Sequence, residues 1–160
     1  MSLPAQLNFA IKKYHKSKQF YCHTDATLIL LNHGATEMTI EEALNKLEKS
    51  KFRASFRLTK KEREYLQEKG MDVMRRHAED FIKQKLAPAE PVNDGKQTPM
   101  HGHPVFKAMH GTACCCRGCL NKWYKVPLHK ELSPAEQEKI VNLLMAWIER
   151  NAEIGERTDK

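Results

Sequence analysis

Apolar residues recur along most of the chain at intervals of three and four, the pattern of helices that bury one face. The clearest stripe is Ile140, Leu143, Leu144, Trp147 and Ile148, spaced i, i+3, i+4, i+7 and i+8. Ser133-Pro-Ala-Glu136, just ahead of it, combines a capping box with proline at the first helical position, so a helix is expected from there to about Ala152. The charged end from Gly155 to Lys160 is expected to fray. Two more capping boxes stand upstream. Thr39-Ile-Glu-Glu42 opens a helix to about Lys49 with Ala43, Leu44 and Leu47 inward, and Thr59-Lys-Lys-Glu62 opens one that Gly70 ends. Residues 71–86 place Met74, Ala78, Phe81 and Ile82 on one face before Pro88 forbids continuation.

The periodicity lapses over 87–104, where four of the seven prolines and Asn93-Asp94-Gly95 specify a loop with a tight turn. A connection of that length is usually functional or disordered. Pro104 opens a short helix through His110, and Thr112 is placed to cap another to about Tyr124, with Pro127 beyond it. Near the start, Leu7 and Ile11 indicate a short helix over 4–15. The run Ala26–Leu31 fits either a strand or a helix segment, because so short an apolar stretch does not fix the period, and Asn32-His33-Gly34 breaks it. The expectation is a mainly α fold: a compact helical domain with a long Pro/Gly-rich loop, and room for one small β element near Phe20–Leu31. It divides into an N-terminal accessory segment (1–45), a helical Cys/His-containing domain (46–152) and a frayed tail (153–160).

Length and charge narrow the class. At 160 residues and 41% hydrophobic content the chain can bury one core but not several. No apolar run approaches the length of a membrane span. Met1–Lys13 lacks the charged-then-apolar order of a secretory signal, so a cytoplasmic protein is expected. The net charge is +7 and the excess is central: Lys51 to Lys130 carries +9, while residues 131–160 carry −3. A basic stretch of this kind can attract nucleic acid or a phosphorylated small molecule. The plainer alternative is a solvated surface, since no RNA-recognition, helix-turn-helix or finger spacing accompanies it.

The chemistry concentrates in one place. Four of the five cysteines fall within Cys114-Cys-Cys-Arg-Gly-Cys119, with His101, His103 and His110 just upstream. His103, His110, Cys116 and Cys119 make two imidazoles and two thiolates, a ligand set suited to tetrahedral zinc. If Thr112 caps a helix, Cys116 and Cys119, or Cys115 and Cys119, project from one face of it. Two alternatives stand beside the metal reading. The cysteines are small buried hydrophobes, as in a structural or protein-interaction module, or one of them, Cys115 or Cys116 in a first helical turn beside Arg117, is a nucleophile with His110 as its base. A disulfide between adjacent cysteines on a helix does not meet bridge geometry.

Weaker candidates surround the cluster. His77 and Asp80 form an i, i+3 pair able to serve as a metal ligand, as a base with its orienting carboxylate, including the general base of an enzyme with an open metal site, or as a surface or core-edge contact. Asp94, Lys96, Gln97 and Thr98, together with Arg117, offer polar groups to a ligand at the loop. Gly95-Lys96 has neither the upstream glycine nor the following hydroxyl of a phosphate-binding loop.

Several longer segments carry a resemblance. Ser50-Lys-Phe-Arg53, Arg76-His-Ala-Glu-Asp-Phe-Ile82, Leu86-Ala-Pro-Ala89, Asp94-Gly-Lys-Gln-Thr-Pro-Met100, Gly102-His-Pro-Val-Phe106 and Cys115-Cys-Arg-Gly-Cys-Leu120 resemble a bacterial family, domain-of-unknown-function family 4186, over roughly residues 47–150. The resemblance implies where chemistry lies rather than which reaction occurs. The family pattern spans His77, the Asp94–Met100 loop, His103, His110, Cys115, Cys116, Arg117 and Cys119. This chain has Cys114 where the family usually has threonine, and Tyr124 where it usually has histidine after Lys-Trp. Cys114 is therefore not expected to be an essential ligand.

Overall fold

A computed structural model describes residues 38–158. Among them are seven helices and no strand: α1 (Ile40–Glu48), α2 (Lys51–Ala54), α3 (Lys60–Lys69), α4 (Met71–Lys85), α5 (Pro104–Gly111), α6 (Arg117–Tyr124) and α7 (Pro134–Thr158). The mainly α expectation holds. The short helix at 4–15 and the β element near Phe20–Leu31 lie outside the described residues.

The three capping boxes form as read. Thr39 N–H donates to Glu42 Oε2 at 2.8 Å and Glu42 N–H to Thr39 Oγ1 at 3.2 Å. Thr59 with Glu62 and Ser133 with Glu136 repeat the exchange. Each box satisfies two of the amides that a helix start leaves without partners. Gly70, at φ 83°, ends α3 and begins α4 in a single residue, a conformation costly for any side chain with a Cβ.

The core assembles around α7, which lies against α4 and α5, while α1 closes on α2 and α7. Ile140, Leu143, Leu144, Trp147 and Ile148 are all buried, opposite Met74, Ala78 and Ile82 of α4 and Val105, Ala108 and Met109 of α5. Helix α1 spans residue 45 and buries Ala43, Leu44 and Leu47, so the packed unit already includes Ile40. Two boundaries differ from expectation. Helix α7 runs to Thr158 instead of stopping at Ala152, so residues 153–158 are helical rather than a frayed tail. Gly155 lies close against Arg63 in this extension: a Cβ there would meet Arg63 Cδ at 2.6 Å. Among the described residues no helix is long and apolar enough to cross a membrane.

The second difference shapes the chemistry. Thr112 does not cap a helix through the cysteines; it ends α5, its hydroxyl donating to Ala108 O at 2.8 Å. Ala113 then takes a left-handed conformation (φ 60°), and Cys114 N–H reaches back to Met109 O at 2.8 Å. That is a Schellman closure with alanine where glycine is usual. Cys114 and Cys115 therefore lie in a turn, and α6 starts with Cys116 as its cap.

Candidate metal and thiol site

Cys116 caps α6 with its sulfur: Cys119 N–H donates to Cys116 Sγ at 3.3 Å. The preceding turn swings Cys115 over the same helix end, and the three sulfurs of Cys115, Cys116 and Cys119 come within 4.8 Å of one another. Convergence thus comes from the turn and the cap, not from one helical face. Cys115 is buried, and Cys116 and Cys119 are partly exposed. Its neighbour Cys114 points elsewhere, fully buried with its thiol toward Thr112 O. Burial pushes that thiol up to about 12, leaving it inert. Tyr124 O–H also closes on Thr112 O.

A residue outside the sequence candidates completes the cluster. Ser50 caps α2 and its hydroxyl accepts Arg53 N–H at 3.3 Å, which starts the short helix and turns Arg53 inward. The guanidinium donates from Nη1 to His110 O at 2.7 Å and from Nη2 to Cys119 Sγ at 3.2 Å, with Cys115 Sγ at 3.8 Å from Nη1. Cys119 is the sulfur best disposed to ionise. The Cys115 thiol donates to it and Arg53 faces it, and together they outweigh burial and bring it down to about 5. The donor role in turn raises Cys115, and burial raises Cys116. The only sequence sign of Arg53 was its place in the Ser50-Lys-Phe-Arg53 segment.

The two histidines do not join the sulfurs. His110 stacks on Phe56 with ring centroids 5.4 Å apart, and its Nε2 faces Thr98 O at 3.1 Å. Burial lowers its affinity for a proton. His103 caps α5: its Nδ1 accepts Val105 N–H at 3.1 Å, so its proton sits on Nε2, which meets His77 Nδ1 at 2.9 Å. Tyr65, Phe81 and Phe106 surround that ring. Both ring nitrogens of His103 are thereby committed within the fold. The set His103, His110, Cys116 and Cys119 is not brought together. His77 turns to His103 rather than to Asp80, which is exposed on α4.

The loop candidates fasten the loop. Asp94 Oδ1 accepts Arg117 N–H at 3.0 Å, the first amide of α6, and Gln97 Nε2 at 2.8 Å. Gln97 also bonds Lys85 O and takes Gly95 N–H. Thr98 is buried and donates to Cys115 O at 2.8 Å, while Lys96 is exposed. Arg117 is 2% exposed and donates to Pro88 O at 2.9 Å, Pro127 O at 2.7 Å and Lys130 O at 2.6 Å, tying α6 to two other chain segments. Arg53, Lys107 and Arg117 all belong to the basic central stretch, yet all are buried. Their charge is not on the surface that would attract phosphate.

The sequence matches the family described as Domain of unknown function (DUF4186) over residues 41–149. The chain belongs to that family. The matched span runs from α1 through most of α7 and contains every residue of the sulfur cluster, Arg53 included. No solved structure matches the chain. In this DUF4186 domain, Cys115, Cys116 and Cys119 form a cluster that could hold a metal ion.

Proposed function

We propose that this domain binds zinc through Cys115, Cys116 and Cys119. The observation carrying the reading is the convergence of three sulfurs within 4.8 Å on a helix end whose amide already donates to one of them. Tetrahedral zinc with Zn–S near 2.3 Å needs sulfurs about 3.8 Å apart, so side-chain rotation of about 1 Å completes the set. Thiolates select soft or borderline cations, and an N–H donated to a ligating sulfur is the usual outer support of such sites. The described residues supply three ligands, which leaves one tetrahedral position for water or an incoming donor, the arrangement of zinc sites that perform chemistry. Zinc there would act as a Lewis acid, while this chain's residues hold and orient the sulfurs.

The test is elemental analysis of the purified full chain beside Cys116→Ser and Cys119→Ser, with cobalt substitution to count sulfur ligands. About one zinc per chain, lost in both variants, is the expected result. Metal-free folded protein overturns it.

A second reading is supported by the 3.2 Å contact between Arg53 and Cys119. Without metal, the same geometry makes Cys119 a nucleophile or redox thiol, rather than Cys115 or Cys116. His110, with Nε2 turned to a carbonyl, is then not its base. Metal-free protein whose Cys119 reacts with iodoacetamide far faster than a free thiol selects this reading.

A further inference from the structure

Arg53 is 7% exposed, yet among the described residues its partners are a carbonyl, two sulfurs and the face of Phe52, with no carboxylate. A guanidinium does not lose its proton in a protein, and a buried charge needs an opposite one. Among the described residues, the only groups in contact with it that can be anionic are the sulfurs. The same arithmetic applies to the loaded site. Three thiolates and a divalent ion leave one net negative charge in a half-buried place, and Arg53 supplies the one positive charge that cancels it.

We propose that Arg53 is a positioning residue of the metal centre, holding the three thiolates and a divalent thiophilic ion as an electrically neutral, half-buried unit and covering Cys119 Sγ. This rests on the metal reading above. The hydrogen bond from Nη2 also withdraws electron density from Cys119 Sγ, so that sulfur is shielded from alkylation while the metal is bound. Fixing Nη1 on His110 O ties this function to the Schellman turn that presents Cys115, because the same carbonyl accepts Ala113 N–H at 3.3 Å.

The test compares the full chain with Arg53→Gln and Arg53→Lys. Glutamine keeps a donor for His110 O but no charge; lysine keeps the charge. Zinc affinity is measured by competition with a chromophoric chelator, and alkylation of each cysteine in the zinc-loaded protein is followed by mass spectrometry. Outer-shell partners of metal ligands typically control 10–100-fold in affinity. A loss in that range is expected for Arg53→Gln, with faster alkylation at Cys119, and recovery to within about threefold for Arg53→Lys. Equal affinities in all three proteins, or equal losses in both variants, overturn the proposal. A wild-type chain that takes up no zinc overturns the zinc reading instead. If Arg53→Gln does not fold, Arg53→Met takes its place as the uncharged variant: zinc affinity reduced about tenfold or more in Arg53→Met but within about threefold of wild type in Arg53→Lys upholds neutralisation, and affinities that do not separate the two reject it.

Discussion

Replacing Arg117 with methionine separates a ligand-binding arginine from one that holds the fold. The side chain is 2% exposed and makes three charge-assisted bonds of 2.6–2.9 Å to Lys130 O, Pro127 O and Pro88 O. Bonds from charged donors contribute about 1.5–3 kcal/mol each, which sets a gross ceiling of roughly 5–9 kcal/mol. Two terms reduce it. Methionine fills much of the volume and removes a desolvated charge, and Pro127 and Lys130 lie near enough to solvent for water to replace part of the lost bonding. A net cost of about 3 kcal/mol follows, a large share of the 5–15 kcal/mol typical of a domain. With a urea slope of about 1.5 kcal/mol per molar, the unfolding midpoint of the full chain should fall by about 2 M. Lys96→Ala, at an exposed position of the same loop, should stay within about 0.5 kcal/mol of wild type. A midpoint for Arg117→Met that matches wild type would refute the assignment.

Two further outcomes follow from the packing around α5. Burial, then His77, push His103 down to about 4, whereas an imidazole in an unfolded chain titrates near 6.5. Between those values the unfolded state binds more protons, so the stability present above pH 6.5 is lost as pH falls toward 4. Partial exposure reduces the amplitude to about 1–2 kcal/mol. His103→Asn, which retains an acceptor for Val105 N–H, should flatten urea midpoints over that window, and an unchanged slope would count against the assignment. Gly111→Ala would place a Cβ 2.5 Å from Trp147 Nε1 in the core. Overpacking of about 1–3 kcal/mol should lower the melting temperature by roughly 5–10 °C; a melt within 2 °C of wild type contradicts that close approach.

Much of the fold was legible because its signals are local. A threonine or serine three residues before glutamate fixes a helix start without help from the rest of the chain, and the stripe from Ile140 to Ile148 fixes a buried face. The site was legible in composition but not in geometry. Thr112 has the chemistry of an N-cap, yet tertiary closure of α5 places it at the other helix end, and the left-handed Ala113 carries no sequence mark of its own. Cysteine is seldom read as a cap, so the start of α6 at Cys116 was hidden. His103 lies close to the cysteines in sequence but is drawn to His77 across α4 and α5. Arg53 reaches Cys119 from 66 positions away, a contact that no local pattern announces.

The long connection between α4 and α5 has no helix of its own, yet it is latched to the cysteine turn through Asp94 to Arg117 N–H, Thr98 to Cys115 O, and His110 to Thr98 O. Surface connections ordinarily absorb inserted residues with little penalty. Here the chain length between the Asp94 and Thr98 latches sets the register of loop against turn, so one added residue there would shift the sulfurs themselves. The segment with the least regular backbone is thus among the least free to change its length, and its Gly95 and Lys96 amides, which donate to Gln97 Oε1 and Asn93 O, should exchange in step with the cysteine turn rather than with the protein's surface.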